Sequence, residues 1–266
     1  MKTINKIFLA CTCLGVSYVS AQNKTDYSLT FDNSSDLKCF AQPENGSLHV
    51  VKKDKDGKQN SWFQLTSNGI RLWAEAKLNT DKAPSETAPL SYSVEIMAPK
   101  KGFQRPVFPV YWSFTFQPEN GSKYIREVRL EIYPAIGENA NPISSMKPAF
   151  YDSVLPAESR KGNNIMVWME VVDPANGFSE WTLIHNGRSK MLFMPSESQI
   201  KEISVEFDKA YNLNVTQHSR FMIKKNSTIS EWISKNMKNK KPKFANISFN
   251  VWGNSQIMLD NWTVKN

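Results

Sequence analysis

The stretch Arg126-Glu127-Val128-Arg129-Leu130-Glu131-Ile132-Tyr133 alternates polar and aliphatic residues without a break. A β-strand turns successive side chains to opposite faces, so Val128, Leu130 and Ile132 point one way and Glu127, Arg129, Glu131 and Tyr133 the other. One face belongs to a hydrophobic core, and the opposite face is a row of ionisable groups. That row is either a solvated outer wall with charges paired across it or the floor of a functional groove.

The same period of two recurs on both sides of this stretch. It predicts strands over Ser47 to Lys53, Ile70 to Lys77, Leu90 to Ala98, Val110 to Phe116, Ile125 to Tyr133, Ile165 to Val171, Glu202 to Phe207, Ala245 to Trp252 and Gln256 to Val264. Turn signals punctuate them at Glu44-Asn45-Gly46, Lys55-Asp56-Gly57, Asn68-Gly69, Glu119-Asn120-Gly121 and Asn186-Gly187. Many short strands without a βαβ rhythm predict an all-β, antiparallel two-sheet β-sandwich of jelly-roll type. One short helix is expected near 228–239, where Thr228 and Glu231 form a capping box and no Gly or Pro follows. No internal repeat or low-complexity tract interrupts the pattern.

The N-terminus carries Lys2 and Lys6, an apolar run from Ile7 to Val19, and small residues ending at Ala21. This is the layout of a secretory signal cleaved near Ala21, which leaves residues 22–266 as a single domain that is secreted, periplasmic or at the cell surface. A lipoprotein signal at Cys11 fits less well, because too little apolar sequence precedes that cysteine. No later stretch approaches the ~20 consecutive apolar residues of a membrane span. Cys11 and Cys13 are expected to leave with the signal, so no intramolecular disulfide is expected at Cys39 and the core must supply the stability.

The formal charge of +8 becomes +6 without Lys2 and Lys6, and much of it sits in Lys235, Lys238, Lys240, Lys241 and Lys243. A basic surface favours anionic partners, and for an exported protein an acidic polysaccharide is expected rather than nucleic acid. A short lysine run also serves simply as a solubilising loop. A monomer is expected. Eight tryptophans and eight tyrosines add a second indication, since flat aromatic rings stack on the apolar faces of sugars. Trp112, Trp168 and Trp252 nevertheless stand in alternating strands, where aromatics usually fill the core. Trp73, Trp112, Tyr111 and His185 are the side chains expected to line a bound glycan.

The order of a strand from Leu90, the Lys100-Lys101-Gly102 turn, Pro109-Val110-Tyr111-Trp112 and the strand at 126–133 resembles the family-16 glycoside hydrolases. These are secreted enzymes with a concanavalin-like sandwich whose Glu-x-Asp-x-Glu strand lines a glycan cleft. Asp260-Asn261-Trp262-Thr263-Val264 is similar to their closing strand, so the resemblance spans most of the chain after the signal. It implies Glu127 as nucleophile and Glu131 as acid/base in an endo-acting, retaining hydrolysis. Four residues of strand separate the two backbones by ~13 Å, whereas a retaining pair holds its carboxyls ~5 to 5.5 Å apart, so both side chains would lean inward. The family's central aspartate is Arg129 here. A guanidinium beside two glutamates favours both as carboxylates, whereas a general acid needs a raised pKa.

Two alternatives remain open. Arg126-Glu127-Val128-Arg129 resembles the Arg-x-Glu-Leu-Arg strand of the family-7 alginate lyases, which share the sandwich, and Leu183-Ile184-His185 resembles their Gln-Ile-His. That likeness implies Arg129 neutralising a uronate and Tyr133 or His185 removing the adjacent proton. The third reading is a non-catalytic glycan-binding module.

No cofactor is expected. His49, His185 and His218 lack the spacing of a zinc site, and a structural calcium would have to draw on loop carboxylates such as Asp32, Asp36 or Asp260. Asp152-Ser153-Val154 resembles the Asp-Ser/Thr-aliphatic acceptor of bacterial O-glycosylation. Nucleophile-elbow, P-loop and dinucleotide motifs are absent.

Overall fold

The alternation at 126–133 is realised as the centre of a layered structure of antiparallel strands. The computed structural model describes residues 26–55, 57–68, 73–79, 87–97, 110–133, 164–188, 201–238, 240–252 and 256–265. In chain order the strands are β1 (Tyr27–Leu29), β2 (Gly46–Lys55), β3 (Lys58–Ser67), β4 (Trp73–Lys77), β5 (Leu90–Met97), β6 (Val110–Phe116) and β7 (Tyr124–Tyr133). They continue with β8 (Asn164–Asp173), β9 (Phe178–Arg188), β10 (Lys201–Phe207), β11 (Leu213–Gln217), β12 (Arg220–Asn226), β13 (Phe244–Trp252) and β14 (Gln256–Lys265). A helix, α1 (Thr228–Asn236), precedes β13, and a 3-10 turn spans Ser34–Cys39.

An eight-stranded sheet runs β12-β11-β10-β5-β14-β3-β2, with β1 also pairing β14, and a six-stranded sheet runs β4-β13-β6-β7-β8-β9. The sheets pack face to face as a sandwich. From the six-stranded sheet, Trp112, Phe114, Val128, Leu130, Val167 and Phe249 enter the core; Phe63, Tyr92, Val205, Phe207 and Trp262 meet them from the other. Rings meet edge to face: Tyr92 on Trp262 at 5.2 Å, Phe114 on Phe207 at 5.1 Å and Trp112 on Phe249 at 5.0 Å. Such pairs contribute about 0.5–1.5 kcal/mol each beyond the burial of their area. The indole Nε1 of Trp112 donates to Tyr92 Oη at 3.3 Å, so two large side chains are buried without stranding that donor.

Gly46 opens β2 because nothing larger fits. A Cβ there would lie 2.1 Å from the Thr66 carbonyl oxygen and 2.6 Å from the Ala74 Cβ.

Three local expectations are corrected. Asn186-Gly187 lies inside β9, paired with Met166 and Ile165; the turn falls instead at 174–177, where Gly177 takes φ +66°. The helix ends at Asn236 and its N-cap is Ser227 rather than Thr228. Ser227 Oγ donates to Glu231 Oε1 at 2.6 Å, and the Thr228 amide donates to Asn226 Oδ1. Asn68-Gly69, Lys55-Asp56-Gly57 and the start of the Ile70 strand lie partly outside the described residues, and Asp152-Ser153-Val154 wholly so.

Among the described residues no group of three or more His, Cys, Asp and Glu side chains is placed to hold a metal ion. Asp32 is exposed, and Asp36 accepts the Phe31 amide at 3.0 Å. Asp260 is buried, accepting from Asn60 Nδ2 at 2.7 Å and facing Lys55 Nζ at 3.4 Å, with Lys55 also paired to Glu95. Among the described residues no helix is long and apolar enough to cross a membrane.

Candidate functional site

The registers of the six-stranded sheet assemble three transverse rows of side chains on the face turned away from the core. The first row is Asn246, Thr115, Glu127, Glu170 and Trp181. The second is Lys77, Ser248, Ser113, Arg129, Trp168 and Leu183, and the third is Glu75, Asn250, Tyr111, Glu131 and Met166. Neighbours within a row stand ~4.8 Å apart and successive rows ~6.6 Å apart, the dimensions of a pleated sheet.

Over the β4 to β7 side of this face opens a cavity of about 580 Å³, walled by residues 41–45, Glu75, Lys77, Ser113, Thr115, Glu127, Arg129 and Asn250. The ionisable row of β7 therefore opens into a groove at Glu127 and Arg129. Glu127 Oε1 accepts two hydrogen bonds, from Ser113 Oγ at 2.8 Å and from Arg129 Nε at 2.8 Å. The Arg129 guanidinium also stacks on Trp181. Burial opposes its charge, but Glu127, through charge and hydrogen bond, with Glu131 beyond, more than offsets that, and the pKa is raised.

Next to it Arg126 grips Glu170 with two donors, Nε to Oε2 at 2.6 Å and a terminal nitrogen to Oε1. A register shift between Ile125 and Glu127 accompanies this, and it lets the adjacent Arg126 and Glu127 both serve the outward face.

The remaining expected site residues scatter. Glu131 is 1% exposed and accepts from Trp168 Nε1 at 3.2 Å, and it is not one of the described residues lining the cavity. Tyr111, opposite Glu131 on β6, is likewise buried. Trp112 is a correction: it points into the sandwich interior and is 0% exposed, so it fills the core and offers no sugar platform.

His185 is a second correction. It pairs with the core-facing Val167 across a register shift, which puts it on the side of the sheet away from Arg129. Burial lowers its pKa below the usual 6.5. Trp73 pairs with Trp252 and Tyr133 with Asn164; both lie on strands, but their side chains are outside the described residues.

Ser113, Thr115, Asn250, Glu75 and Lys77 were not anticipated, and neither was Trp181. A signal for the first two was present, because in Tyr111-Trp112-Ser113-Phe114-Thr115 the polar members share one parity. Asn250 and Lys77 join the site only through strand pairing.

No family model matches the chain, and no curated protein matches it. Among solved structures it is similar to the carbohydrate recognition domain of Emp46p in its metal-free form, at 10% identity over 90% of this chain and 95% of that one, with a TM-score of 0.47. It is also similar to the botulinum neurotoxin serotype G binding domain, at 14% identity over 90% of this chain and 46% of that one, with a TM-score of 0.39. A third is β-agarase A in complex with oligoagarose, at 7% identity over 83% of this chain and 72% of that one, with a TM-score of 0.40. None of the three is similar enough to lend an activity to any residue of this groove.

Proposed function

We propose that the chain is an exported glycan-binding protein that holds a sugar chain in the groove of the six-stranded sheet, with the Glu127 and Arg129 pair at its floor. In this reading residues 1–21 are a secretory signal, and the remainder acts as one monomeric domain. The carrying observation is the cavity itself, in which hydroxyls of Ser113 and Thr115, the amide of Asn250 and a carboxylate-guanidinium pair face one space. Sugars present adjacent hydroxyls that donate and accept at once, and a mixed wall of this kind answers both. The wall carries Glu44, Glu75 and Glu127 against Lys77 and Arg129, which favours a neutral glycan over an acidic one in the cavity.

Hydrolysis is the second reading, and one observation favours it: Glu127 faces the groove and accepts two hydrogen bonds that fix its direction, as a retaining nucleophile requires. Against it, Glu131, the acid/base that the strand resemblance implies, is closed off beneath Trp168 and stands ~13 Å along the strand. Uronate elimination is weaker still, because Arg129 is already committed to Glu127.

Calorimetric titration of the purified protein with neutral and acidic oligosaccharides, followed by assays for reducing ends and for unsaturated uronate, tests the reading. Binding of a neutral oligosaccharide without product, weakened about tenfold or more in Arg129→Ala, supports it. Reducing ends that vanish in Glu127→Gln would establish hydrolysis instead, and failure to bind any glycan would end the proposal.

A further inference from the structure

Positive charge in this chain collects at one end of the sandwich, where β10 turns into β11 and α1 leads into β13. Lys209 sits exposed in the 208–212 turn, and the Lys225 amide donates to Asn214 Oδ1 at 2.8 Å on the strand leaving that turn. Tyr211 Oη donates to the carbonyl of Pro242, which ties the turn to segment 240–243. In that segment Lys240, Lys241 and Lys243 are exposed while Pro242 is buried between them. The Gln117 amide bonds the Lys243 carbonyl at 2.8 Å, and Lys240 pairs with Glu119 at 3.0 Å, so the segment is pinned to the loop after β6. Lys235, in the last turn of α1, and Lys238 just beyond it are also exposed.

Among the described residues the acids here are fewer than the lysines: Asp208, Glu119, Glu231 in α1, and Glu206, exposed on β10 opposite Asn214. Asp208 accepts from the Ala210 amide and from the amide and side chain of Asn212, and Glu119 faces Lys240. The end therefore carries a net positive field on a pinned scaffold, in contrast to the mixed wall of the groove.

We infer that this end is a second binding surface, for an acidic polysaccharide. Three observations select that class. The exposed groups are ammoniums, which act as hydrated point charges and suit a polymer with repeated carboxylates or sulfates better than a single bidentate ligand. The apolar residues of the segment, Met237 and Pro242, are buried, so nothing projects to enter a bilayer. The one aromatic of α1, Trp232, packs against the core, which removes the platform on which bases stack. The exposed Phe221 lies farther along β12, opposite Thr216, with Lys224 over its ring.

The test is equilibrium binding of the purified chain to alginate, with dextran, phosphatidylglycerol vesicles and a single-stranded oligonucleotide as comparisons, at rising salt. Alginate should bind and dextran should not bind at this end. Alginate affinity should fall steeply with salt. The triple variant Lys240→Gln, Lys241→Gln, Lys243→Gln should lose about tenfold in affinity, each exposed contact contributing a small factor. Glu119→Gln, which releases Lys240, should tighten binding about twofold. The three lysines are exposed and Glu119 is half-buried, and circular dichroism checks that the variants fold.

Alginate binding unchanged in the triple variant, or absent from the parent, overturns the inference. So does tighter binding to the vesicles or the oligonucleotide than to alginate at the same salt. Loss of alginate binding in Arg129→Ala with the triple variant unaffected would move the acidic polymer into the groove and overturn it equally.

Discussion

The guanidinium carbon of Arg129 lies 4.4 Å from the centre of the Trp181 ring, two strands away across β8. The ring braces the cation from one side while Glu127 holds it from another, so the plane of the guanidinium is fixed at the groove floor. Trp181→Ala should therefore keep the fold and weaken glycan binding about three- to tenfold, the size of a partly desolvated cation-π contact. Calorimetry on parent and variant measures it, and equal affinities would mean that Trp181 does not orient Arg129.

Trp112 separates packing from recognition. Trp112→Ala should lower unfolding stability by about 3–5 kcal/mol in denaturant titration while leaving glycan affinity intact at temperatures where the variant is folded. A fall in affinity without a fall in stability would return this ring to the binding surface.

His185 should register in stability rather than in binding. Its pKa is lowered by burial, so between the folded value and the ordinary 6.5 the unfolded chain binds more protons than the folded one. Stability from this group is complete above about pH 6.5 and falls as the pH drops through that value. His185→Gln should flatten the unfolding free energy over the window just below pH 6.5 and leave glycan affinity unchanged at neutral pH.

Asp208 governs the turn that bears Lys209. Burial alone would raise its pKa, but hydrogen bonds from the side chain and amide of Asn212 and the amide of Ala210 outweigh that and lower it below 3.8. A carboxylate depressed in the folded state stabilises above its unfolded pKa and loses that contribution as the pH falls through the folded one. Asp208→Ala should cost about 1–2 kcal/mol at pH 7 and progressively less in acid below 3.8, where the parent has lost the same contribution.

The sandwich was legible because most strands have one apolar and one polar face, as in Val128 and Leu130 against Glu127 and Arg129. Two of the missed strands, β3 and β9, break that rule for identifiable reasons. In β3 the consecutive Ser61, Trp62 and Phe63 are all buried, with Phe63 in the main core and Trp62 beside Met97 and Met258 on the outer face of its sheet. No alternation survives when both faces are covered. In β9 the register shift near Leu183 to His185 adds a residue and throws the parity, and the Asn186-Gly187 dipeptide, a turn signal in isolation, sits inside the strand.

The centre of the site could be found in one strand, since Glu127 and Arg129 share a parity. Its walls could not. Lys77 and Asn250 reach Ser113 and Tyr111 only through β13, and nothing in a single sequence states which strands lie side by side. The closing of Glu131 beneath Trp168 depends on the pairing of β7 with β8 and was equally invisible.

The opposed faces of β7 also discipline assembly. A slip of one residue against β6 or β8 would thrust Glu127, Arg129 and Glu131 among the phenylalanines and expel Val128 and Leu130 into water. Each displaced charge would forfeit both its counter-ion and its hydration, so a misaligned sandwich is penalised at every one of these positions. The ion pairs beneath the groove therefore act as proofreaders while the chain folds, whatever they do once it is folded.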